Sequence, residues 1–546
     1  MNRGKGDKKQ LLYLSVTVGL ICLATYLRAL GCGFVNYDDP LYVLNNPVIK
    51  QLNWDTVVSA FTQAHVGWWM PLTWISFAID HFFWGLEPFG YHLTNIVFHS
   101  LNAALVVLIA DRVLRMGAGK EERELRADGW IHPVTLLLAG LLWGIHPLRV
   151  ESVAWVTERK DVLNGFFSLG AILWYLCYVQ AKEMYGTGAR RPYVLSLVFF
   201  ALSLMAKSVS VVLPLLLLVI DWYPARRLRR DNVLPLVREK LPFLALSVLM
   251  ALVTVYFTSE SNYLISYELF PFHQRMLVSG NAIFEYVRLL LLPVGIIAFY
   301  VIPDPIPPSY LVTSVIVAVL CVLIFAFRKY RWISATWLAF IIPLLPVLAI
   351  LQNGDQSFAA RFTYLPSVAP SIAAGAAIGL VFKKAGSRHR VWQSIVIPVL
   401  ALLVFYVVAT VKDIAVWQNS ETFWTRIVSV RPGAIVHKER GLYYHSVGKF
   451  HEAIGDFSAA IQTAPEAWHP YLYNLYVFRG DSLRAAGRYA EALDDLTAAI
   501  NQFPHPPYYF LRGSVLKSMG RVKEAEADFG AAGPDPGKLA WLWIAN

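Results

Sequence analysis

Long apolar runs separated by short polar segments recur along the first three quarters of the chain. A run of about 20 apolar residues spans the roughly 30 Å hydrocarbon core of a bilayer as a helix. We therefore predict an all-α, polytopic membrane bundle over residues 1–411, with about eleven transmembrane helices. The two short runs around Lys207 could be one bent hairpin. The apolar runs lie near 11–30, 92–110, 132–146, 163–181, 192–206, 209–221, 241–258, 311–327, 332–350, 367–382 and 391–411.

The pattern changes after the last apolar run. We predict a linker at 412–433 and a second domain at 434–546. The segments GKFHEAIGDFSAAI, GRYAEALDDLTAAI and GRVKEAEADFGAA begin at Gly448, Gly487 and Gly520, at intervals of 39 and 33 residues. A period near 34 residues is typical of tetratricopeptide repeats, which pair helices into an α-solenoid. About three repeats are predicted, and they either dock a peptide or protein or only stabilise the chain.

Composition agrees with a membrane protein. Hydrophobic residues make up 56% of the 546 residues and charged residues 16%, against about 25% charged in soluble domains. The net charge of +11 does not indicate nucleic-acid binding, because 25 of the 34 Lys and Arg residues before residue 412 lie in alternate, cytoplasmic segments. We predict a multi-pass membrane protein with a cytoplasmic N-terminus and with the repeats on the opposite, non-cytoplasmic side.

The cysteines and the outer loops predict no metal site. The four cysteines lie in or near apolar runs, and their spacing indicates neither a disulfide framework nor a zinc site. The outer loops contain no HxxxH, CxxC or DxD spacing. We predict no cofactor, and a requirement for a divalent cation stays open.

The first outer loop, residues 31–91, is rich in aromatic residues, including Trp69, and contains the acidic pair Asp38 and Asp39. Adjacent carboxylates repel each other, and nearby apolar surface opposes ionisation of both, so one of them could accept a proton. The alternative is a solvated turn before a proline. Residues 53–61 fit a capped amphipathic helix at the membrane interface.

Two later segments place charges near the membrane. Residues 146–161, HPLRVESVAWVTERKD, include Arg149 and Glu151, which could simply pair with each other. Lys207 interrupts an apolar stretch and needs a counter-ion, which could be an acidic side chain or a lipid phosphate.

The outer segment 259–308 contains an apolar helix in which Glu285 and Arg288 have the i, i+3 spacing of an ion pair. We interpret this helix as interfacial or re-entrant. In the last outer loop, QNGDQSFAARFTYLPS, Arg361 and Tyr364 precede the next span. Arg361 either reaches the headgroup level without a function or forms a bidentate clamp on a lipid phosphate.

Five motifs in a fixed order give the chain a family resemblance. The acidic pair of the first loop, YHLTNIVFHSLNA, HPLRVESVAWVTERKDVL, SLMAKS and ARFTYLPS are followed by the repeats. This order resembles the transmembrane and tetratricopeptide-repeat O-mannosyltransferases of the glycosyltransferase C superfamily, which are related to the protein O-mannosyltransferases. The resemblance covers nearly the whole chain and indicates a bacterial-type member.

The resemblance implies which residues form the site. Asp38 or Asp39 would be the catalytic base, with Asp38 favoured. Arg361, Lys207 and Arg159 would bind the donor phosphate. Further candidates are Glu151, Asp161, Tyr364, His92, Arg149 and Trp69.

The sequence also departs from the family at some of the motif positions. Ser208 and Ala360 stand where the family has acidic residues, and Met70 stands where animal members have arginine. These differences bear on the donor sugar and the acceptor more than on the reaction type.

The implied function is transfer of a sugar, mannose in the family, from a polyprenyl-phosphate donor to a Ser or Thr hydroxyl of a protein docked by the repeats. Transfer would take place on the outer face of the membrane with inversion at the anomeric carbon. A carboxylate suits the base, because hydroxyls are poor nucleophiles. The alternatives are a lipid or glycan acceptor, a transporter of lipid-linked sugars, for which no inverted repeat is visible, and a membrane-anchored repeat scaffold without catalysis.

Overall fold

The computed structural model describes residues 5–117, 125, 129–185, 189–229, 232–259, 270–326, 330–351, 356–385 and 389–533. The described chain is largely helical, so the predicted all-α fold class is confirmed. It divides into two compact units, residues 1–418 and 419–546.

The first unit contains fifteen α-helices among its described residues, together with short 3₁₀ turns and one pair of short strands. The helices are α1 (Lys5–Tyr26), α2 (Trp54–Thr62), α3 (Pro71–Trp84), α4 (Pro88–Met116), α5 (Ile131–Gly144), α6 (Val150–Ala154), α7 (Arg159–Tyr185), α8 (Arg190–Ala206), α9 (Leu213–Trp222), α10 (Val233–Ser259), α11 (Phe272–Leu291), α12 (Ser309–Ala326), α13 (Arg331–Ile341), α14 (Val368–Ala385) and α15 (His389–Ile414).

Each of the predicted apolar runs falls on a helix, but fewer helices reach membrane-spanning length. In the described part of the chain, seven are long and apolar enough to cross a bilayer, or eight if the bent pair α5 and Pro147–Ala154 is one span. The helices around Lys207 and the helical stretch Arg331–Val347 have fewer than 18 residues. At 1.5 Å per residue they rise less than about 27 Å, which is why the count falls below eleven.

Helices α1, α4, α5, α7 and α14 form the centre of the first unit. Small residues let these helices approach closely, as is common where membrane helices cross. A Cβ at Gly375 of α14 would lie 2.8 Å from the backbone nitrogen of Ala139 and 3.0 Å from the carbonyl oxygen of Thr135, both on α5. Only glycine fits at this crossing.

The first outer loop is more ordered than its sequence pattern suggests. Helix α2 has the predicted cap, since the Asn53 side chain accepts a hydrogen bond from the backbone N–H of Thr56. Helix α3 was not predicted. It begins with Pro71, and it ends before Gly85, whose φ of +58° favours glycine.

The segment before the last outer loop contains α11, which is outside the set of helices that could cross a membrane. The predicted pair is present, with Arg288 Nε 2.7 Å from Glu285 Oε2. The two short strands β1 (Tyr300–Val301) and β2 (Gln356–Phe358) pair antiparallel, with Tyr300 opposite Phe358. This pairing fixes the chain just before Arg361.

The second unit begins inside the predicted linker. Residues 412–433 include the end of α15, the turn Ala415–Trp417 and a new helix, because Asn419 and Thr422 form a capping box that starts it. The helices of this unit are α16 (Ser420–Val430), α17 (Ala434–Ser446), α18 (Phe450–Thr463), α19 (Tyr473–Ala485), α20 (Tyr489–Gln502), α21 (Pro506–Ser518) and α22 (Val522–Ala532).

Helices α17 to α22 form three successive antiparallel pairs, and each pair packs against the next. The repeated glycines serve two purposes. Gly448, Gly487 and Gly520 have φ between +77° and +79° at the turn inside each pair. A Cβ at Gly441 would lie 2.8 Å from the Phe457 ring, and a Cβ at Gly480 or Gly513 would lie 3.0 or 2.9 Å from a side chain of the partner helix.

Candidate active site

The two aspartates of the first outer loop have different environments. Asp39 is buried, and its carboxylate accepts hydrogen bonds from the backbone N–H of Val35 at 2.9 Å, and from the backbone N–H and hydroxyl of Thr157 at 3.1 and 2.5 Å. Burial raises the pKa of Asp39 to about 6, while these hydrogen bonds oppose the rise. Asp39 therefore ties the loop to the segment before α7.

Asp38 is partly exposed, and among the described residues its carboxylate has no hydrogen-bond or ion-pair partner. Shielding from water raises the pKa of Asp38 above its ordinary value. Lys160 and Arg361 act in the opposite direction, and Glu158 adds to the rise. Of the two predicted bases, Asp38 is the one whose carboxylate is free and faces the charged residues.

Glu158 is the centre of this charged group. Its carboxylate is buried and lies 3.2 Å from Lys160 Nζ, 3.5 Å from Lys207 Nζ and 3.3 Å from Arg361 Nε. We call Glu158, Lys160, Lys207 and Arg361, with the acids Glu151 and Asp161, the charge cluster. Glu158 and Lys160 were not predicted as site residues. The signal that could have found them is TERKD, four charged residues in a row beside an apolar run.

Arg361 enters the charge cluster from the turn Ala360–Thr363, directly after β2. Its backbone N–H donates to Glu151 Oε2 at 2.9 Å, and its guanidinium contacts Glu151 Oε1. Nη2 also donates to Gln356 Oε1 at 2.8 Å. The pairing of Glu151 with Arg149 that the sequence allowed is thus replaced by a pairing with Arg361. The burial of Glu151 requires such a partner.

Lys207 lies where the chain is extended between α8 and the turn Ser208–Val212. The Asn164 side chain donates to the carbonyl oxygens of Ser203 and Lys207 at 2.9 and 3.1 Å, which compensates for the interrupted helix. Lys207 Nζ lies 2.5 Å from Asp161 Oδ1. The predicted need for a counter-ion is met by Asp161 and Glu158.

Arg159, predicted to bind the donor phosphate, lies outside the charge cluster. Its guanidinium donates to Asn95 Oδ1 at 2.5 Å, to Ser76 Oγ at 2.6 Å, and to Asp80 Oδ2 and the Tyr91 carbonyl oxygen at 2.6 and 2.8 Å. Successive residues in this turn point in different directions, so Lys160 faces the cluster and Arg159 faces α3 and α4. These contacts join the start of α7 to α3 and α4, and the phosphate-binding role of Arg159 stays a prediction.

Tyr364 directly follows the turn that carries Arg361, and Arg149 contacts that turn. The Tyr364 hydroxyl contacts His99 Nδ1 and accepts from the Asn102 amide, both at 2.9 Å. Arg149 is fully buried and donates from Nη2 to the Thr363 hydroxyl at 2.6 Å, while Nε and Nη1 have no partner among the described residues. Its guanidinium lies 5.6 Å from the centre of the Tyr364 ring. These contacts hold the turn that carries Arg361.

The remaining predicted residues support the first loop. His92 is buried in α4 beside the backbone of Cys32 and Gly33. The Trp69 indole N–H donates to the Phe61 carbonyl oxygen at 2.9 Å, so it belongs to the corner between α2 and α3. Neither residue contacts the charge cluster.

An aromatic stack lies against the charge cluster. Trp155 is stacked on Tyr37 and on Trp417, with ring centres 4.9 and 5.5 Å apart. The Arg361 guanidinium and Lys160 Nζ lie 5.4 and 5.5 Å from the Trp155 ring. Cation–π contacts of this kind hold charged side chains in place without neutralising them.

Two cavities meet beside the cluster. Lys207, Arg361, Asp161 and Tyr364 line a small one. Its apolar neighbour has a volume of about 360 Å³ and is lined mostly by side chains of α4, α9, α13 and α14. Leu216 and Leu365 line both, so the charged end and the apolar end are adjacent. In the described residues, no group of three or more His, Cys, Asp or Glu side chains could hold a metal ion.

Comparison with known proteins finds partial sequence similarity to one group of enzymes. No family model matches the chain. Protein O-mannosyl-transferase tmtc2 of Xenopus laevis is 27% identical over 177 residues, which are 31% of this chain and 19% of that protein. Protein O-mannosyl-transferase Tmtc1 of Drosophila melanogaster is 31% identical over 175 residues, or 30% of this chain and 18% of the relative. The predicted family resemblance is confirmed.

The resemblance to these protein O-mannosyl-transferases is partial. The matched segments span about a fifth of the length of the two relatives. Among solved structures, ArnT from Cupriavidus metallidurans bound to undecaprenyl phosphate aligns over 98% of this chain and 77% of its own. The TM-score is 0.31 and the sequence identity 13%.

Proposed function

We propose that the chain is a membrane glycosyltransferase that moves a sugar from a polyprenyl-phosphate donor to a hydroxyl group of a protein. The observation that carries this proposal is the free Asp38 carboxylate beside the cations of the charge cluster. The partial similarity to protein O-mannosyl-transferases supports it and favours mannose as the sugar and Ser or Thr as the acceptor.

Asp38 acts as the base in this proposal. The acceptor O–H proton passes to the Asp38 carboxylate as the oxygen attacks the anomeric carbon, and the bond from that carbon to the donor phosphate oxygen breaks. Attack opposite the leaving group inverts the anomeric centre. Because the pKa of Asp38 is raised, its carboxylate is a stronger base than an ordinary aspartate, and general-base catalysis of this kind contributes about 10²- to 10⁴-fold.

The leaving polyprenyl phosphate needs positive charge rather than a proton, since its departing oxygen becomes anionic. Lys207 and Arg361 both line the small cavity beside the charge cluster, and Lys160 shares Glu158 with them. We assign donor phosphate binding to Lys207 and Arg361 with help from Lys160. The adjoining apolar cavity suits the isoprenoid chain of the donor.

The cluster by itself is close to neutral. Its three cations face Glu151, Glu158 and Asp161, so a bound phosphodiester competes with these carboxylates for the same donors. Glu158, which is shared by three cations, has the most contacts to give up. In this proposal, donor binding redistributes the contacts of Glu158. Lys160 and Arg361 stay in place because the aromatic stack and Glu151 hold them, and Lys207 stays in place because Asp161 holds it.

The rest of the proposal extends the sequence predictions. Transfer takes place on the non-cytoplasmic face, the N-terminus is cytoplasmic, and the repeats share the compartment of Asp38 and dock the acceptor. The membrane would be the bacterial inner membrane. No nucleic acid takes part.

The deciding experiment incubates the purified full-length chain with radiolabelled polyprenyl-phosphate mannose and a Ser/Thr-containing peptide. We expect the peptide to gain one hexose, detected by mass spectrometry. A peptide with Ser and Thr replaced by Ala, and the Asp38→Asn variant, should give no product. Parallel reactions with polyprenyl-phosphate glucose, and with lipid or glycan acceptors, test the alternative donors and acceptors. Equal transfer by Asp38→Asn, or no transfer to any acceptor, would refute the proposal.

A further inference from the structure

A second group of charged residues lies at the end of the bundle that we predict to be cytoplasmic. Three helices bring it together, through Lys182 near the end of α7, Arg190 at the start of α8 and Arg238 in the first turns of α10. They line a cavity of about 470 Å³ together with Tyr178, Tyr193 and Glu239. We call this cavity the basic pocket.

Two acids near the basic pocket, Glu239 and Asp221, are already engaged in ion pairs. Glu239 accepts hydrogen bonds from Nη2 of Arg227 at 2.9 Å to both of its oxygens and also contacts Lys182. Behind it, the buried Asp221 is 2.8 Å from Arg227 Nη1 and 2.5 Å from Lys240 Nζ. These pairs fix the wall of the pocket.

The balance of charge remains positive. Five basic side chains, Lys182, Arg190, Arg227, Arg238 and Lys240, accompany three acidic ones, Asp221, Glu239 and the exposed Glu183. In the described part of the chain, neither Arg190 nor Arg238 has an ion-pair partner, and both are exposed at the pocket.

The start of α8 adds to this positive field. The residue before it, Ala189, offers no side-chain cap, and the first turn contains no acidic residue. The free N–H groups at the start of a helix carry a partial positive charge, which an anion normally offsets. Here Arg190, which lines the pocket, is the first residue of the helix instead. The structure thus supplies the donors of an anion site.

Exposed apolar side chains continue from the pocket along the same two helices. Val194 and Val198 follow Arg190 at intervals of four residues on α8, and Leu241 and Val248 follow Arg238 on α10. The two helices pack against each other. An occupant with an anionic head and an apolar body matches both parts.

We propose that the basic pocket binds the phosphate headgroup of an anionic phospholipid from the adjacent leaflet. Lys182, Arg190 and Arg238 would contact the phosphate, and the acyl chains would lie along the exposed apolar side chains of α8 and α10. Basic pockets between membrane helices on the cytoplasmic side recognise anionic lipids by this chemistry. This site is separate from the charge cluster and does not depend on the proposed transfer reaction.

The matching control uses arginines from the same predicted cytoplasmic segments that do not line the pocket. Arg191 and Arg229 are exposed, and neither lines the cavity. The double variant Arg191→Gln, Arg229→Gln removes as much charge as Arg190→Gln, Arg238→Gln. If the arginines served only to orient the chain in the membrane, the two double variants would bind lipid alike.

The test measures lipid retention by native mass spectrometry on the full-length chain, purified in detergent and titrated with phosphatidylglycerol or phosphatidylcholine. We expect the wild-type chain and the control variant to prefer phosphatidylglycerol, and Arg190→Gln, Arg238→Gln to lose about tenfold in affinity for it. Melting in pure phosphatidylcholine nanodiscs should be the same for all three, which shows that the variants are folded.

Three results would overturn the proposal. Equal affinity of the wild-type chain for the two lipids would show that the site does not prefer an anionic lipid. Equal losses of affinity in the two double variants would show that the pocket is not the binding site. In a third arm, inorganic phosphate replaces the lipid. If phosphate alone stabilised the wild-type chain as much as phosphatidylglycerol does, the occupant would be a free anion. Should the double variant melt early, Arg190→Gln alone is tested in the same titration.

Discussion

Both units of this protein contain pairs of acidic and basic residues, but the pairs are arranged differently. In the repeat unit, Arg440, Arg479 and Arg512 each contact an aspartate 16 residues later through Nε and Nη2, at 2.6 to 2.8 Å. The aspartates are Asp456, Asp495 and Asp528. Each pair joins the two helices of one repeat, and each carboxylate has an arginine of its own.

The charge cluster of the membrane unit contains no such closed pairs. Glu158 is shared by three cations, Arg361 is shared by two glutamates, and the Asp38 carboxylate is left without a partner among the described residues. A bidentate pair with matched geometry has little capacity left for a ligand. A bound ligand can instead rearrange shared contacts and can use a free carboxylate. The comparison indicates that the repeat pairs stabilise the fold, whereas the cluster is suited to bind a substrate.

The largest expected effect comes from removing the free carboxylate. Asp38→Asn should lower turnover by about 10²- to 10⁴-fold, because the base is lost, and leave thermal stability unchanged, because no hydrogen bond of that carboxylate is lost. Initial rates at saturating donor and a melting curve measure the two effects.

The neighbouring aspartate is the control for this experiment. In Asp39→Asn, the new amide N–H₂ would face one of the N–H or O–H donors that now bond the carboxylate, which should cost about 1–3 kcal/mol of stability. The folded fraction of the Asp39→Asn variant should still catalyse sugar transfer. If Asp39→Asn were inactive and Asp38→Asn active, the assignment of the base would be reversed.

The next largest effect concerns a shared arginine. Arg361→Lys keeps the positive charge but loses the fork of donors that reaches Glu151, Glu158 and Gln356, so kcat/KM for the donor should fall by about 10- to 100-fold. Arg159→Lys makes the same chemical change outside the cluster. It should lower stability and leave the donor KM unchanged. Equal rises of the donor KM in both variants would contradict the different roles proposed for Arg361 and Arg159.

Breaking one repeat pair should affect stability alone. Asp495→Asn in the middle repeat removes the charged partner of Arg479 and should lower the stability of the repeat unit by about 1–3 kcal/mol. Hydrogen exchange in α19 and α20 measures this loss. In a double-mutant cycle with Arg479→Gln, most of the loss should be coupling between the two residues. A fall in the rate of donor turnover would show that the repeat pairs do more than stabilise.

The smallest expected effect is a change in pH dependence. Lys160 favours the ionised form of Asp38, and Glu158 opposes it. Since activity needs the ionised form, kcat/KM should fall as pH drops through the raised pKa of Asp38. Lys160→Gln should move this acidic limb to higher pH and Glu158→Gln should move it to lower pH. Arg361, the other cation that acts on Asp38, is present in both variants, so it does not contribute to the difference between them. Shifts in the same direction would exclude Asp38 as the titrating group.

Much of the fold could be predicted because it follows from local patterns. The apolar runs, the cap at Asn53, the Glu285–Arg288 pair and the repeated glycines depend on residues close together in the chain. Helix α3 was missed because the aromatic residues around it are also typical of an interfacial loop. Among the described residues, fewer than eleven helices reach membrane-spanning length, since hydropathy alone does not show where a helix breaks.

The sequence by itself determined the class of protein, the repeat period and the motifs whose residues meet in the charge cluster, because solvent preference and helical spacing are properties of short segments. Only the tertiary structure decided which acid is free, where Arg159 points and that Glu158 lies among three cations. The physical reason is distance along the chain. Arg361 meets Glu151 across 210 residues, and Asp39 meets Thr157 across 118. Contacts between residues so far apart in the sequence arise from how the helices pack, and a local sequence pattern does not predict them.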